Sequence, residues 1–123
     1  MNILVVDDEP ILLKITKMVL KSSGHTVATA HDGAEALEVV NDSTTDFDLI
    51  LTDHDMPNVH GLDLVKQLND TDFHGEVVVW SGALNTELKQ RYEKLGVRHC
   101  LSKPVPFEVM TRIIDQVSDQ IAA

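Results

Sequence analysis

The chain contains one cysteine, Cys100, in 123 residues. A single thiol excludes an internal disulfide framework and a cysteine-rich zinc site, and it fits residence in the reducing cytoplasm. Positive charge is scarce too. Ten Lys and Arg stand against 20 Asp and Glu, for a formal net charge of −10, and the basic residues occur singly. DNA and RNA need a basic footprint on their partner, so direct nucleic-acid binding is not expected. Long hydrophobic runs are also missing. The apolar start, Ile3-Leu4-Val5-Val6, gives way at once to Asp7-Asp8-Glu9, which is far too short for a signal peptide or a membrane span. Repeats, low-complexity tracts and linkers are absent, so one domain over residues 1–123 is expected.

What is present is a core. Hydrophobic residues make up 43% of the chain, enough for a domain of this length to bury a core without disulfides. Five short β-like runs are expected at Asn2 to Val6, Thr26 to Thr29, Phe47 to Thr52, Glu76 to Ser81 and Arg98 to Ser102. Leu49-Ile50-Leu51 and Val77-Val78-Val79-Trp80 are continuously apolar, as strands covered on both faces require. Helical stripes lie between and after them: Ile11, Leu12, Ile15, Met18 and Val19 behind Pro10; Leu62, Val65 and Leu68; Leu84, Leu88, Tyr92 and Leu95; Phe107, Met110, Ile113, Ile114, Val117 and Ile121. Strands alternating with helices imply parallel pairing through right-handed crossovers. An open α/β sheet with helices on both faces follows. The last stripe runs almost to Ala123, and no output domain is expected after it.

Ligands of such a sheet bind beyond the carboxyl ends of the strands. There the sequence puts Asp7 and Asp8 after the first strand, Asp53 and Asp55 after the third, Ser81-Gly82 at the end of the fourth and Lys103-Pro104 after the fifth. Two unit charges ~5 Å apart repel by roughly 3 kcal/mol at an effective dielectric of about 20, so three carboxylates together oppose folding by about 10 kcal/mol. Either some of them hold protons or a cation sits among them. Hard oxygen donors with room for water favour Mg²⁺. A carboxylate in such a site is a nucleophile for phosphoryl groups: Asp53 would attack phosphorus in line, Asp7 or Asp8 would hold the ion, and Lys103 and Ser81 would meet phosphoryl oxygens. Taken singly, the aspartates and Ser81 have plainer roles as helix caps or turn residues, and Lys103 before a proline is uninformative. Their joint placement at four strand ends carries the reading.

These residues stand in stretches that resemble the receiver domain of two-component response regulators. The stretches are Ile3 to Pro10, Asp32-Gly33-Ala34-Glu35-Ala36-Leu37, Asp53-His54-Asp55-Met56-Pro57, Gly61-Leu62, Ser81-Gly82, and Gly96 with Leu101-Ser102-Lys103-Pro104. The resemblance implies a CheY-like (flavodoxin-like) fold with five parallel strands in the order 2-1-3-4-5 and five helices on both faces. It implies phosphotransfer from a sensor histidine kinase or histidine phosphotransfer protein onto Asp53. Asp7 and Asp8 would bind Mg²⁺ together with Asp53 and the Asp55 backbone carbonyl. Ser81 would be the switch hydroxyl, and Lys103, preceding a proline bond that is usually cis in the family, would pair with the phosphate. The reporting surface would be helix four, strand five and helix five, on a monomer or a phosphorylation-dependent dimer. The chain would be a free-standing regulator or the receiver portion of a larger signalling protein.

Three positions depart from the family pattern. Cys100 stands where many members carry the Tyr or Phe that partners the switch hydroxyl, and a thiol cannot sweep the same volume. Asp55 adds an acid two residues past the acceptor, and Ala83 cannot orient a water through its side chain. Two other functions compete. Asp53-His54-Asp55 also reads like the Asp-x-Asp of haloacid-dehalogenase-type phosphatases, which place it after the first strand of a longer chain. A pseudo-receiver with inactive chemistry is the other, and the intact acidic set argues against it. The six histidines are scattered and expected to be solvated rather than to form a zinc site. Trp80 is expected in the core and Cys100 as a small buried hydrophobe.

Overall fold

The computed structural model describes residues 1–42 and 44–122. Strands and helices alternate: β1 (Asn2–Val6), α1 (Pro10–Ser22), β2 (Thr26–Ala30), α2 (Gly33–Asp42), β3 (Leu49–Thr52), α3 (Gly61–Leu68), β4 (Glu76–Ser81), α4 (Thr86–Lys94), β5 (His99–Ser102) and α5 (Phe107–Ala122). All five strands form one parallel sheet in the order β2-β1-β3-β4-β5. The chain leaves β1 towards β2 on one side and later returns to place β3 on the other. That reversal opens a crevice at the carboxyl ends of β1 and β3.

Alternation along the strands divides the core between the two faces. Leu4, Val6, Ile50, Val77 and Val79 pack with Leu64, Val65 and Leu68 of α3 and with Leu88 and Tyr92 of α4. Ile3, Val5, Leu49, Leu51, Val78 and Trp80 face the other way, against Leu13 and Leu20 of α1 and Met110, Ile114 and Val117 of α5. Each of these aliphatic side chains contributes about 1.5–3 kcal/mol when withdrawn from water. Gly24 and Gly96 follow α1 and α4 with φ of +93°, the left-handed turn that lets a helix end without a Cβ clash.

The expected strands are all present, with edges moved by a residue or two. β2 extends to Ala30, while β3 begins at Leu49 because its pairing with β1 starts at Ile3↔Leu49. The expected face of α1 needs correction. Ile11 (77% exposed), Ile15 and Met18 point to solvent, and Leu13, Thr16 and Leu20 are buried instead. This helix is apolar around more than half its circumference, so its sequence permits several stripes, and packing against the sheet and α5 selects one. Ile121 is also exposed. Cys100 is only partly buried, at the margin of the α3–α4 core.

Candidate functional site

Register brings the acidic residues together. Val6 pairs with Thr52, so Asp7 and Asp53 leave adjacent strands side by side. The Asp7 amide donates to Ala30 O (3.2 Å) and the Asp53 amide to Val6 O (3.1 Å). Both side chains are buried, whereas Asp8 is exposed. One carboxylate oxygen from each of Asp7, Asp8 and Asp53 lies within 4.8 Å of the others. Three anionic, hard oxygen donors open to water on one side suit Mg²⁺. The Asp55 carboxylate is exposed and outside this cluster.

Lys103 supplies the opposing charge. The Lys103–Pro104 bond is cis, the Lys103 amide donates to Ser81 O at 2.9 Å, and its Nζ donates to Asp7 Oδ2 at 3.1 Å. The same Nζ lies 3.6 Å from Asp53 Oδ2 and 5.1 Å from the centroid of the Trp80 ring, which is braced edge-on by Phe107. Burial pushes the Asp7 carboxyl above the ordinary aspartate range, against the opposing pull of the Glu9 amide and of Lys103. Ser81 is buried, and its Oγ accepts from the Ala83 amide at 3.2 Å. Its own proton remains available to another acceptor.

Flanking loops are tied to this rim. Asp32 Oδ1 caps α2 by accepting from the Glu35 amide (2.8 Å), and its Oδ2 accepts from Asn58 Nδ2 (2.9 Å). Asn58 adopts φ of 71°, a left-handed conformation that asparagine tolerates. These bonds, the Glu35 amide first, hold the Asp32 carboxyl below its ordinary range.

Sequence reasoning named Asp7, Asp8, Asp53, Ser81 and Lys103, and the fold brings all five to one rim. It did not foresee the contact between His54 and Tyr92. The His54 amide donates to Asp53 Oδ1 at 2.7 Å, and its Nδ1 lies 2.6 Å from the hydroxyl of Tyr92. Nothing in the local sequence could pair residues so far apart, since Tyr92 alone reads as one member of an apolar stripe. The expectation of solvated histidines therefore fails at His54. It fails also at His25, whose side chain is 7% exposed and lies between the Met1 amine and Asp115. A cavity of about 830 Å³ opens at the opposite end of the sheet, lined by Phe47, Asp48, Phe73 and Glu76 among others, away from Asp7, Asp8 and Asp53.

A family model described as the response regulator receiver domain matches residues 3–115. The two-component response regulator ARR22 of Arabidopsis thaliana is 33% identical over 119 residues, which cover 96% of this chain and 84% of that protein. The sensor histidine kinase RcsC of Escherichia coli K12 is 34% identical over 121 residues, 98% of this chain but 12% of the kinase. A receiver domain protein from Clostridium thermocellum superposes with a TM-score of 0.88 at 26% identity, covering 98% of this chain and 96% of that one. Chemotaxis response regulator CheY4 of Vibrio cholerae gives a TM-score of 0.86 at 27% identity, with coverage of 94% and 97%.

Proposed function

The chain belongs to the response regulator receiver family, and from that premise we propose that Asp53 is its phosphoacceptor, served by Asp7, Asp8, Ser81 and Lys103. Accepting a phosphoryl group is the general function of receiver domains. The observation that carries the assignment is the three-carboxylate cluster with one ammonium placed against two of its members.

Asp53 attacks the phosphorus of a phosphohistidine. A P–O bond forms, the P–N bond breaks, and its electron pair stays on the departing imidazole of the donor. Asp7, Asp8 and Asp53, with the Asp55 carbonyl, would hold Mg²⁺, which when bound neutralises charge on the carboxylates and the phosphoryl oxygens. Lys103 sits within reach of Asp53 and exchanges its bond with Asp7 for one with a phosphoryl oxygen. Ser81 donates its free proton to a second oxygen. The chain turns over no separate substrate in this reading; it catalyses only its own phosphorylation and dephosphorylation.

The donor is a sensor histidine kinase or a histidine phosphotransfer protein. Three exposed apolar residues, Ile11, Ile15 and Met18, run along α1 from the rim of the site and offer that donor an apolar footing. The phosphorylated state is read by a downstream protein through the α4–β5–α5 face, on a monomer or a phosphorylation-dependent dimer. Among the described residues, no helix is long and apolar enough to cross a membrane; cytoplasmic action is part of this proposal.

Intact-protein mass after incubation with acetyl phosphate, with and without Mg²⁺, tests the assignment. One phosphoryl adduct is expected on the wild type with Mg²⁺ and none on Asp53→Asn. An adduct of equal yield on Asp53→Asn would remove Asp53 from the role. A folded wild type that forms no adduct, even with a competent kinase, would favour a constitutive interaction module. Sustained hydrolysis of phosphate monoesters would favour a phosphatase.

A further inference from the structure

His54 is held at three points. Its amide donates to Asp53 Oδ1, its carbonyl accepts from the Gly61 amide at 3.0 Å, and its ring meets the Tyr92 hydroxyl at 2.6 Å. Tyr92 is fully buried, and its ring stands edge-on to the imidazole, 82° between planes and 5.6 Å between centroids. Its hydroxyl occupies the space that a Cβ at Gly61 would need, so the first turn of α3 closes directly over it. A buried residue of α4 thus lies two hydrogen bonds from the acceptor carboxylate. The partly buried Cys100 packs at the margin of the core that contains Tyr92, and the bulk there belongs to the tyrosine.

We propose that Tyr92 is a positioning residue that couples helix α4 to the state of Asp53 through the His54 ring. The proposal rests on the phosphoacceptor role given to Asp53. Charge-assisted hydrogen bonds are about twice as strong as neutral ones. While Asp53 is a carboxylate, the His54 amide binds an anion. In an acyl phosphate, the corresponding oxygen is an ester-like carbonyl or the bridging atom, and either is a weaker acceptor. The hold on His54 loosens at its amide and not at its ring. The loop between β3 and α3 can then follow the ring, and the ring is bonded to α4. The made and loosened arrangements of His54 are the two states that both ends bias. By linkage, a partner that favours one arrangement of α4 changes the stability of the phosphorylated form by the same factor.

Beryllofluoride with Mg²⁺, a stand-in for the acyl phosphate, makes this measurable without a kinase. The readouts are beryllofluoride uptake at Asp53 by ¹⁹F NMR and the amide shift changes of α4, residues 86–94, that accompany it. Tyr92→Phe keeps the ring and removes the hydroxyl. It is expected to take up beryllofluoride while the α4 response falls about two-fold or more, the lower range for mutations along a coupled path. Should Tyr92→Phe not fold, His54→Ala carries the same test from the partly buried side of the bond. His54→Asn, whose side-chain amide can stand in for Nδ1, is expected to restore the response that His54→Ala loses. A wild-type-sized α4 response in Tyr92→Phe, or His54→Asn behaving like His54→Ala, overturns the coupling and leaves the acceptor assignment standing. A wild type that takes up no beryllofluoride overturns that assignment, and the coupling with it.

Discussion

Replacing Lys103 with methionine isolates the electrostatics of the site, because the stem against Trp80 is kept and only the charge is lost. Nζ lies 3.1 Å from Asp7 Oδ2 and 3.6 Å from Asp53 Oδ2, and the side chain is 19% exposed. At an effective dielectric of about 20, each attraction is worth about 5 kcal/mol before the ammonium's own desolvation is subtracted. Removing one partner from a buried ion pair costs about 3–5 kcal/mol. The rim is open to water on one side, which lowers the expectation to about 2–4 kcal/mol at pH 7 without Mg²⁺. Loss of the cation–π contact with Trp80 accounts for about 0.5–1 kcal/mol of it.

The pH dependence of that loss has a definite sign. The folded-state Asp7 carboxyl lies above its ordinary range, so its ionised form costs stability at neutral pH. That cost disappears as pH falls through the raised pKa. Lys103 opposes this shift, and the Lys103→Met variant should carry a larger neutral-pH cost that also disappears on acidification. Urea denaturation should therefore show a deficit that narrows as pH falls from neutrality toward the ordinary aspartate range. Mg²⁺, binding only the folded site, should stabilise the variant more than the wild type. A deficit under about 0.5 kcal/mol at pH 7, within the range of an ordinary surface substitution, would refute the argument. So would a deficit that widens as pH falls.

Further predictions concern single contacts. Gly61→Ala puts a Cβ against the Tyr92 hydroxyl and the β3–α3 backbone, and urea denaturation should show a loss of about 1–3 kcal/mol, as for other overpacked sites. The Glu35 carboxyl is held below its ordinary range first by the His31 side chain and then by the His31 amide. Its depressed pKa supplies stability above the unfolded value that is lost as pH falls through the folded one, so His31→Ala should raise the Glu35 titration midpoint seen by NMR. Ile15→Gln, at a position 40% exposed, should change stability by no more than about 0.5 kcal/mol. It should slow transfer from a histidine phosphotransfer protein and leave labelling by acetyl phosphate unchanged. Asn85→Ala removes the side-chain bond to the Leu88 amide at the start of α4, and thermal denaturation should report a loss of about 1 kcal/mol.

Alternation of apolar runs with helical stripes was sufficient to place five strands and four of the helices, because each element's period is a local property of the chain. The acidic pair, Asp53, Ser81 and Lys103 were legible for a related reason. A parallel sheet puts every strand's carboxyl end on the same edge, so residues just beyond those ends meet whatever the packing in between. Two things were not legible. The stripes of α1 compete within one apolar helix, and only the sheet and α5 determine that Leu13, Thr16 and Leu20 go inward while Ile11, Ile15 and Met18 remain outside. The bond between His54 and Tyr92 joins residues 38 positions apart. Neither residue signals the other along the chain, and the close approach exists because α4 packs its buried face beneath the β3–α3 loop at a glycine. Local pattern and strand topology determined where the chemistry sits; three-dimensional packing alone decided which side chains support it.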